Sequence, residues 1–158
     1  MNVRQLMTPN PRTCRTSDAM NTAAQIMWEQ DCGCVPIVDD DGKAIGIITD
    51  RDICMGAYTR GLPLSQIPVL SGASTALVSV RESDSLEAAE DLMQKHRIRR
   101  LPVLDDAGRP VGILSMNDLA RRAQNGHRRR ELSADAIART LAAVCAPNGA
   151  SHEGAPAQ

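Results

Sequence analysis

The feature that most constrains this chain is an internal repeat. Residues 13–53 align with residues 79–119 at a constant offset of 66 without a gap, and 12 of the 41 pairs are identical. Turn and cap residues stay in step: Ser17-Asp18 with Ser83-Asp84, Pro36 with Pro102, Asp39-Asp40 with Asp105-Asp106, Gly42 with Gly108, Gly46 with Gly112, and Asp52 with Asp118. These residue types set backbone conformation rather than merely fill a core, so their agreement means that both copies fold alike.

Ser17-Asp18 and Ser83-Asp84 supply N-caps for helices over about 18–30 and 84–96. Met20, Ala23, Ala24 and Met27 share one face of the first, and Leu86, Ala89, Leu92 and Met93 one face of the second. Val35-Pro36-Ile37-Val38 and Leu101-Pro102-Val103-Leu104 follow as strands, and Asp39-Asp40-Asp41-Gly42 and Asp105-Asp106-Ala107-Gly108 as hairpin turns. Ile45–Ile48 and Val111–Leu114 return as second strands, and a helix opens at Thr49 or Ser115. A copy of roughly 50 residues buries too little apolar surface to stand alone. The expected fold is therefore mixed α/β, two units packed as a pseudo-twofold pair with sheets in the middle and helices outside. Residues 56–72, rich in Gly, Pro and Ser, are expected to connect the units and lead into the second.

Each strand-to-helix junction carries the same chemistry: Gly46-Ile47-Ile48-Thr49-Asp50-Arg51-Asp52 and Gly112-Ile113-Leu114-Ser115-Met116-Asn117-Asp118. A helix N-terminus offers backbone N–H groups and a positive dipole end to a phosphate, the hydroxyl adds a donor, and an Asp one turn later accepts from a ribose diol. The same residues also form a plain helix cap, with Asp52 and Asp118 completing a capping-box-like pattern. A duplicated cap would recur as faithfully as a duplicated site, so the recurrence does not choose between them.

The run h-P-h-h-D-x-x-G-x-h-h-G-h-h-T/S-x-x-D, present in both copies, resembles the second half of a CBS domain, and the resemblance spans residues from about 3 to 122. It implies two β-α-β-β-α units whose sheets pack together and leave two clefts, in which family members bind AMP, ADP, ATP or related adenosyl ligands. Carried over, one site uses Thr49 and Asp52 with Thr13, Cys14 and Cys34, and the other Ser115 and Asp118 with Ser79, Val80 and Arg100. The ligand, AMP foremost, is then a regulatory signal rather than a required cofactor. The implied protein is a stand-alone sensor, homodimeric, with a downstream protein partner that the sequence does not name.

The copies differ near these junctions. Asp31, Gly33 and Cys34 correspond to Arg97, Arg99 and Arg100, while Arg51 corresponds to Asn117. A guanidinium fork suits phosphate oxygens, so Arg51 and Arg100 are expected to mark where phosphates lie and the two sites to be unequal. Both copies border each cleft, which leaves open the cleft each Arg faces.

Other functions find little support. There is no P-loop, G-x-G-x-x-G or H-E-x-x-H, and His96, His127 and His152 have no nucleophile in a shared motif, so the chain reads as a non-enzyme. Cys32-Gly33-Cys34 has no second ligand pair for a metal, and five cysteines without an export signal argue against a disulfide framework. A thiol redox sensor using Cys14, Cys32 or Cys34 and a ligand-independent scaffold remain as alternatives. The net charge of −1 and the near absence of aromatics, one Trp and one Tyr, give no reason to expect nucleic acid. No run spans a bilayer and the N-terminus has no apolar signal core, so a cytoplasmic location is the default expectation. The expected divisions are 1–60 and 61–122 for the repeats, 123–146 for a C-terminal extension with a helix over Ser133 to Val144, and 147–158 for a disordered tail.

Overall fold

The computed structural model describes residues 1–125 and 133–146. The basic run His127–Arg130 and the tail from Pro147 lie outside the described residues. The first repeat holds strand β2 (Cys14–Arg15), helix α1 (Met20–Gln30), strands β3 (Cys34–Val38) and β4 (Ala44–Thr49) and helix α2 (Asp50–Arg60). The second holds β5 (Val80–Arg81), α3 (Leu86–His96), β6 (Arg100–Leu104), β7 (Pro110–Ser115) and α4 (Met116–Asn125). A short strand, β1 (Thr8–Pro9), precedes them and helix α5 (Ala134–Cys145) follows. One sheet runs β2-β3-β4 and the other β1-β7-β6-β5, each mixing parallel and antiparallel pairs. The two-unit α/β architecture expected from the repeat is the one observed. α1 and α2 pack on the first sheet and α3 and α4 on the second.

The hairpins form as the sequence dictates. Gly42 and Gly108 sit at φ of 79° and 81°, where only glycine is unstrained. The Asp39 carboxylate accepts from the amides of Asp41 and Lys43 at 3.0 and 2.8 Å, and Asp105 accepts likewise from Ala107 and Arg109 at 2.9 and 2.7 Å. These acids are turn-formers. The two turns also meet across the pseudo-twofold, the Ala44 amide donating to the Gly108 carbonyl at 2.9 Å.

The helix starts differ from expectation. Ser17-Asp18 and Ser83-Asp84 do not cap; α1 and α3 begin two residues later, at Met20 and Leu86. Asp18 and Asp84 instead accept from the amides of Arg15 and Arg81 at 2.7 and 2.8 Å, closing a turn after the preceding strand. Ser85 is the cap of α3, while Ala19 at the start of α1 offers no side-chain oxygen, and the Met20 amide donates to the Ile67 carbonyl at 2.8 Å.

That Ile67 bond belongs to a wider exchange. The connecting segment packs on the first repeat: Ile67 and Val69, both fully buried, join the core of Met20, Ile26, Val35, Ile37 and Ile48. The N-terminal lead-in does the reverse. Val3 is fully buried in the second core with Leu86, Met93, Leu101, Leu114 and Leu119, and β1 pairs with β7. The offset of 66 governs the backbone here too. The Val3 amide donates to Asp84 O and the Val69 amide to Asp18 O, each at 2.9 Å, and the Asn2–Ser85 bridge matches the Ala19–Pro68 bridge. Each core is thus completed by the segment that precedes the other repeat.

One element breaks the symmetry. α5, the helix expected over Ser133 to Val144, is capped by Ser133, packs on α3 and α4 and buries Ile137 and Thr140. Thr140 accepts from Gln94 Nε2 at 2.8 Å; the first-repeat counterpart of Gln94 is Trp28, which is 90% exposed. Beneath α5, Glu90 is buried and one carboxylate oxygen has no hydrogen-bond partner. Burial raises its pKa, Glu87 and Asp91 add to the rise, and Arg139 offsets part of it. A raised folded-state pKa favours the protonated acid, so this group's contribution falls as pH climbs from the ordinary carboxylate value through the raised one. Glu90→Gln is expected to stabilise the fold by about 1 kcal/mol at about pH 8, with the gain shrinking toward about pH 4, as read by calorimetric melting.

Candidate functional site

Thr49 ends β4 and is the N-cap of α2. Its amide and hydroxyl donate to Asp52 Oδ2 at 2.8 and 2.7 Å, and its Oγ1 accepts from the Asp52 amide at 3.3 Å. The reciprocal cap anticipated from the sequence is therefore made in full. The helix start offers fewer donors than expected, because the Asp50 amide already donates to Gly33 O at 3.3 Å and the Arg51 amide to Asp50 Oδ1 at 2.9 Å. What the cap leaves unused is Asp52 Oδ1.

Around this junction lies a cleft of about 270 Å³ built by both repeats. Ile47, Ala76, Val78, Ile98 and Pro102 give it apolar walls, and Asp50 and Asp52 face four guanidinium-bearing residues, Arg51, Arg97, Arg99 and Arg100. Among the described residues, the side chains of Arg51, Arg99 and Arg100 make no hydrogen bond or ion pair. Half-buried Arg100 passes over Gly33, where an added Cβ would collide with its guanidinium. The neighbouring Cys34, on β3 opposite Thr49, has its thiol pushed up to about 12 by burial, with Arg100 pulling weakly the other way.

The structure thus regroups the sequence candidates. Arg100 lines the cleft of Thr49 and Asp52, because the start of β6 reaches that cleft from the second repeat, although its backbone partner across the sheet is Ser115. Arg51 faces the same cleft. Cys14 is fully buried in the first core, paired with Ile37, and its thiol is raised to about 11 by burial, with Asp18 adding to the rise. Thr13 is half-buried just ahead of it and is not a wall of the cleft. Ser79 and Val80 line a different hollow of about 500 Å³ at the hairpin end, with Lys43, Asp84 and Asp105. Their separation follows from register: Val80 pairs with Val103, well along β6, whereas Arg100 at its start pairs with Ser115.

The Ser115–Asp118 junction repeats the cap, with Asp118 Oδ2 accepting from the Ser115 amide at 2.9 Å and its hydroxyl at 2.5 Å. Here the second oxygen is taken as well. Arg121 pairs with Asp118 Oδ1, and Asp118 is 5% exposed. The first-repeat counterpart of Arg121 is Met55.

Sequence reasoning missed Ser74, Ala76 and Val78, which enter the cleft from the connecting segment. It noticed Arg97 and Arg99 as differences between copies without placing them in a site. Among the described residues, no group of three or more His, Cys, Asp or Glu is gathered for a metal, and no helix is long and apolar enough to cross a membrane.

A family model for the CBS domain matches the chain twice, over residues 3–56 and 64–125. The chain belongs to the CBS-domain family. Among proteins similar to this CBS pair, the CBS domain-containing protein YhcV of Bacillus subtilis is 38% identical over 118 residues, covering 75% of this chain and 82% of that one. Hypoxic response protein 1 of Mycobacterium tuberculosis is 30% identical over 144 residues, 91% of this chain and 94% of that one. A crystal structure of Hypoxic Response Protein I with two coordinated zinc ions superposes at TM-score 0.69 with 30% identity, covering 77% of this chain and 98% of that one. The CBS domain pair of protein MJ0100, in complex with 5′-methylthioadenosine and S-adenosyl-L-methionine, superposes at TM-score 0.72 with 26% identity, covering 81% and 98%.

Proposed function

We propose that this CBS pair is a non-enzymatic sensor that binds an adenine nucleotide in the cleft between its repeats. The observation that carries the reading is the cleft's composition: an Asp52 oxygen that the cap does not use, and the guanidiniums of Arg51, Arg99 and Arg100, unpaired among the described residues, around apolar walls. Asp52 Oδ1 accepts from the ribose hydroxyls, the apolar walls hold the base, and Arg51, Arg99 and Arg100 meet the phosphates. Every group binds or orients, and none is arranged to react. The adenosyl compounds bound by the MJ0100 pair support the same ligand class.

Signalling follows from where the walls come from. Ile47 and Asp52 belong to the first repeat and Ile98 and Arg100 to the second, so a ligand in contact with both favours one arrangement of the two. A scaffold whose Thr49–Asp52 pair is only a cap would leave the arginine charges without purpose. Burial disfavours the redox alternative at Cys14 and Cys34, whose raised pKa values keep them protonated and weakly nucleophilic at neutral pH, and leaves exposed Cys32 as the thiol that alternative would use. Differential scanning fluorimetry with AMP, ADP and ATP checks the reading. A ligand at a hundredfold excess over its Kd adds about 2.7 kcal/mol of stability, a clear rise in melting temperature, whereas no shift with any nucleotide favours the scaffold.

A further inference from the structure

We infer that the chain has one working nucleotide site rather than two, and that this site selects polyphosphates, ADP and ATP, over uncharged or cationic adenosyl compounds. The inference rests on the adenine-nucleotide reading and adds its stoichiometry and charge class.

The first observation is the charge within the cleft. Arg51, Arg99 and Arg100 line it with side chains that have no partner among the described residues, and these three guanidiniums outnumber the two carboxylates of Asp50 and Asp52. Apolar walls on either side lower the local dielectric and strengthen that field. Each further phosphate on the ligand adds negative charge and acceptor oxygens for these forks. Methylthioadenosine brings neither, and the sulfonium of S-adenosylmethionine brings a charge of the wrong sign.

The second observation is the twin junction, where each feature is withdrawn. At the offset of 66, Arg97, Arg99 and Arg100 become Asp31, Gly33 and Cys34, and Arg51 becomes Asn117. The oxygen left free on Asp52 is occupied on Asp118 by Arg121. A ribose would have to displace that ion pair from a buried carboxylate, with no cationic cluster to compensate. The guanidinium of Arg100 itself lies over Gly33, so one cleft gains the charge that its twin lacks.

Calorimetric titration of the full chain with ATP, AMP, adenosine and S-adenosylmethionine, at low and high salt, tests this. The expected result is one ATP per chain, bound at least tenfold more tightly than adenosine, with the gap narrowing as salt screens the arginines and S-adenosylmethionine weakest of all. Arg99→Gln combined with Arg100→Gln should cost ATP at least tenfold more affinity than it costs adenosine, adenosine binding serving as the check on folding. Two equivalents of ATP per chain, or adenosine or S-adenosylmethionine binding as tightly as ATP, overturns the inference while leaving an adenosyl sensor in place. Failure of all four ligands to bind removes the underlying reading and the inference with it.

Discussion

Asp52→Asn is expected to weaken ATP binding by roughly 10- to 100-fold, whereas Asp118→Asn leaves it unchanged. An asparagine keeps the shape but presents a neutral acceptor to the ribose, and hydrogen bonds to a charged group contribute about 1.5–3 kcal/mol each. The two acids occupy equivalent positions and make the same reciprocal cap with Thr49 and Ser115. They differ in their second oxygen, unused in Asp52 and engaged by Arg121 in Asp118. Stability should therefore move the opposite way to binding. Losing the charge at position 52 weakens a half-buried cap by about 1 kcal/mol. At position 118 the carboxylate is 5% exposed and also holds Arg121, so the cost rises to about 2 kcal/mol. Thermal melts and calorimetric titrations of both variants give the two orderings. Equal losses of affinity would mean that the caps, and not the ligand contacts, govern the cleft.

The residues that made this contrast visible were legible in the sequence, but their arrangement was not. Thr49, Asp52, Ser115 and Asp118 stood out because the offset of 66 repeats them, and Gly42 and Gly108 fixed the hairpins because the turns demand a positive φ. The assignment of Arg100 to the first cleft was hidden. It depends on how the pseudo-twofold brings the start of β6 to the cleft beside Thr49 and Asp52, and a one-dimensional alignment carries no such placement. The Asp18 and Asp84 turns were misread as helix caps because Ser-Asp serves either structure, and only the backbone three residues earlier decides which. The exchanged lead-ins left almost no trace. Val3 and Val69 align at the same offset, but their neighbours diverge, and the pairing of these segments is carried by backbone hydrogen bonds that accept many side chains.

That exchange has a large and unusual consequence. Val3→Asp is expected to destabilise the protein by about 3 kcal/mol or more, and to do so in the second repeat rather than in the one it precedes. Val3 is fully buried among Leu86, Met93, Leu101, Leu114 and Leu119, where an ionised carboxylate would have neither water nor a counter-charge. The chain avoids that burial by releasing the lead-in. Release breaks the bonds of Val3 to Asp84 and of Arg4 to Glu82 and takes β1 off the edge of β7. Hydrogen exchange should then show amides of α3, β6 and β7 losing protection ahead of those of α1, β3 and β4. Val69→Asp should give the mirror image, since Val69 is fully buried in the first core and donates to Asp18 O. Loss of protection in α1 on changing Val3 would contradict the exchange directly. The paired outcome would also mean that neither repeat closes its core alone: beside its own buried valines, each core takes in one more, Val3 or Val69, from the segment leading to the other repeat.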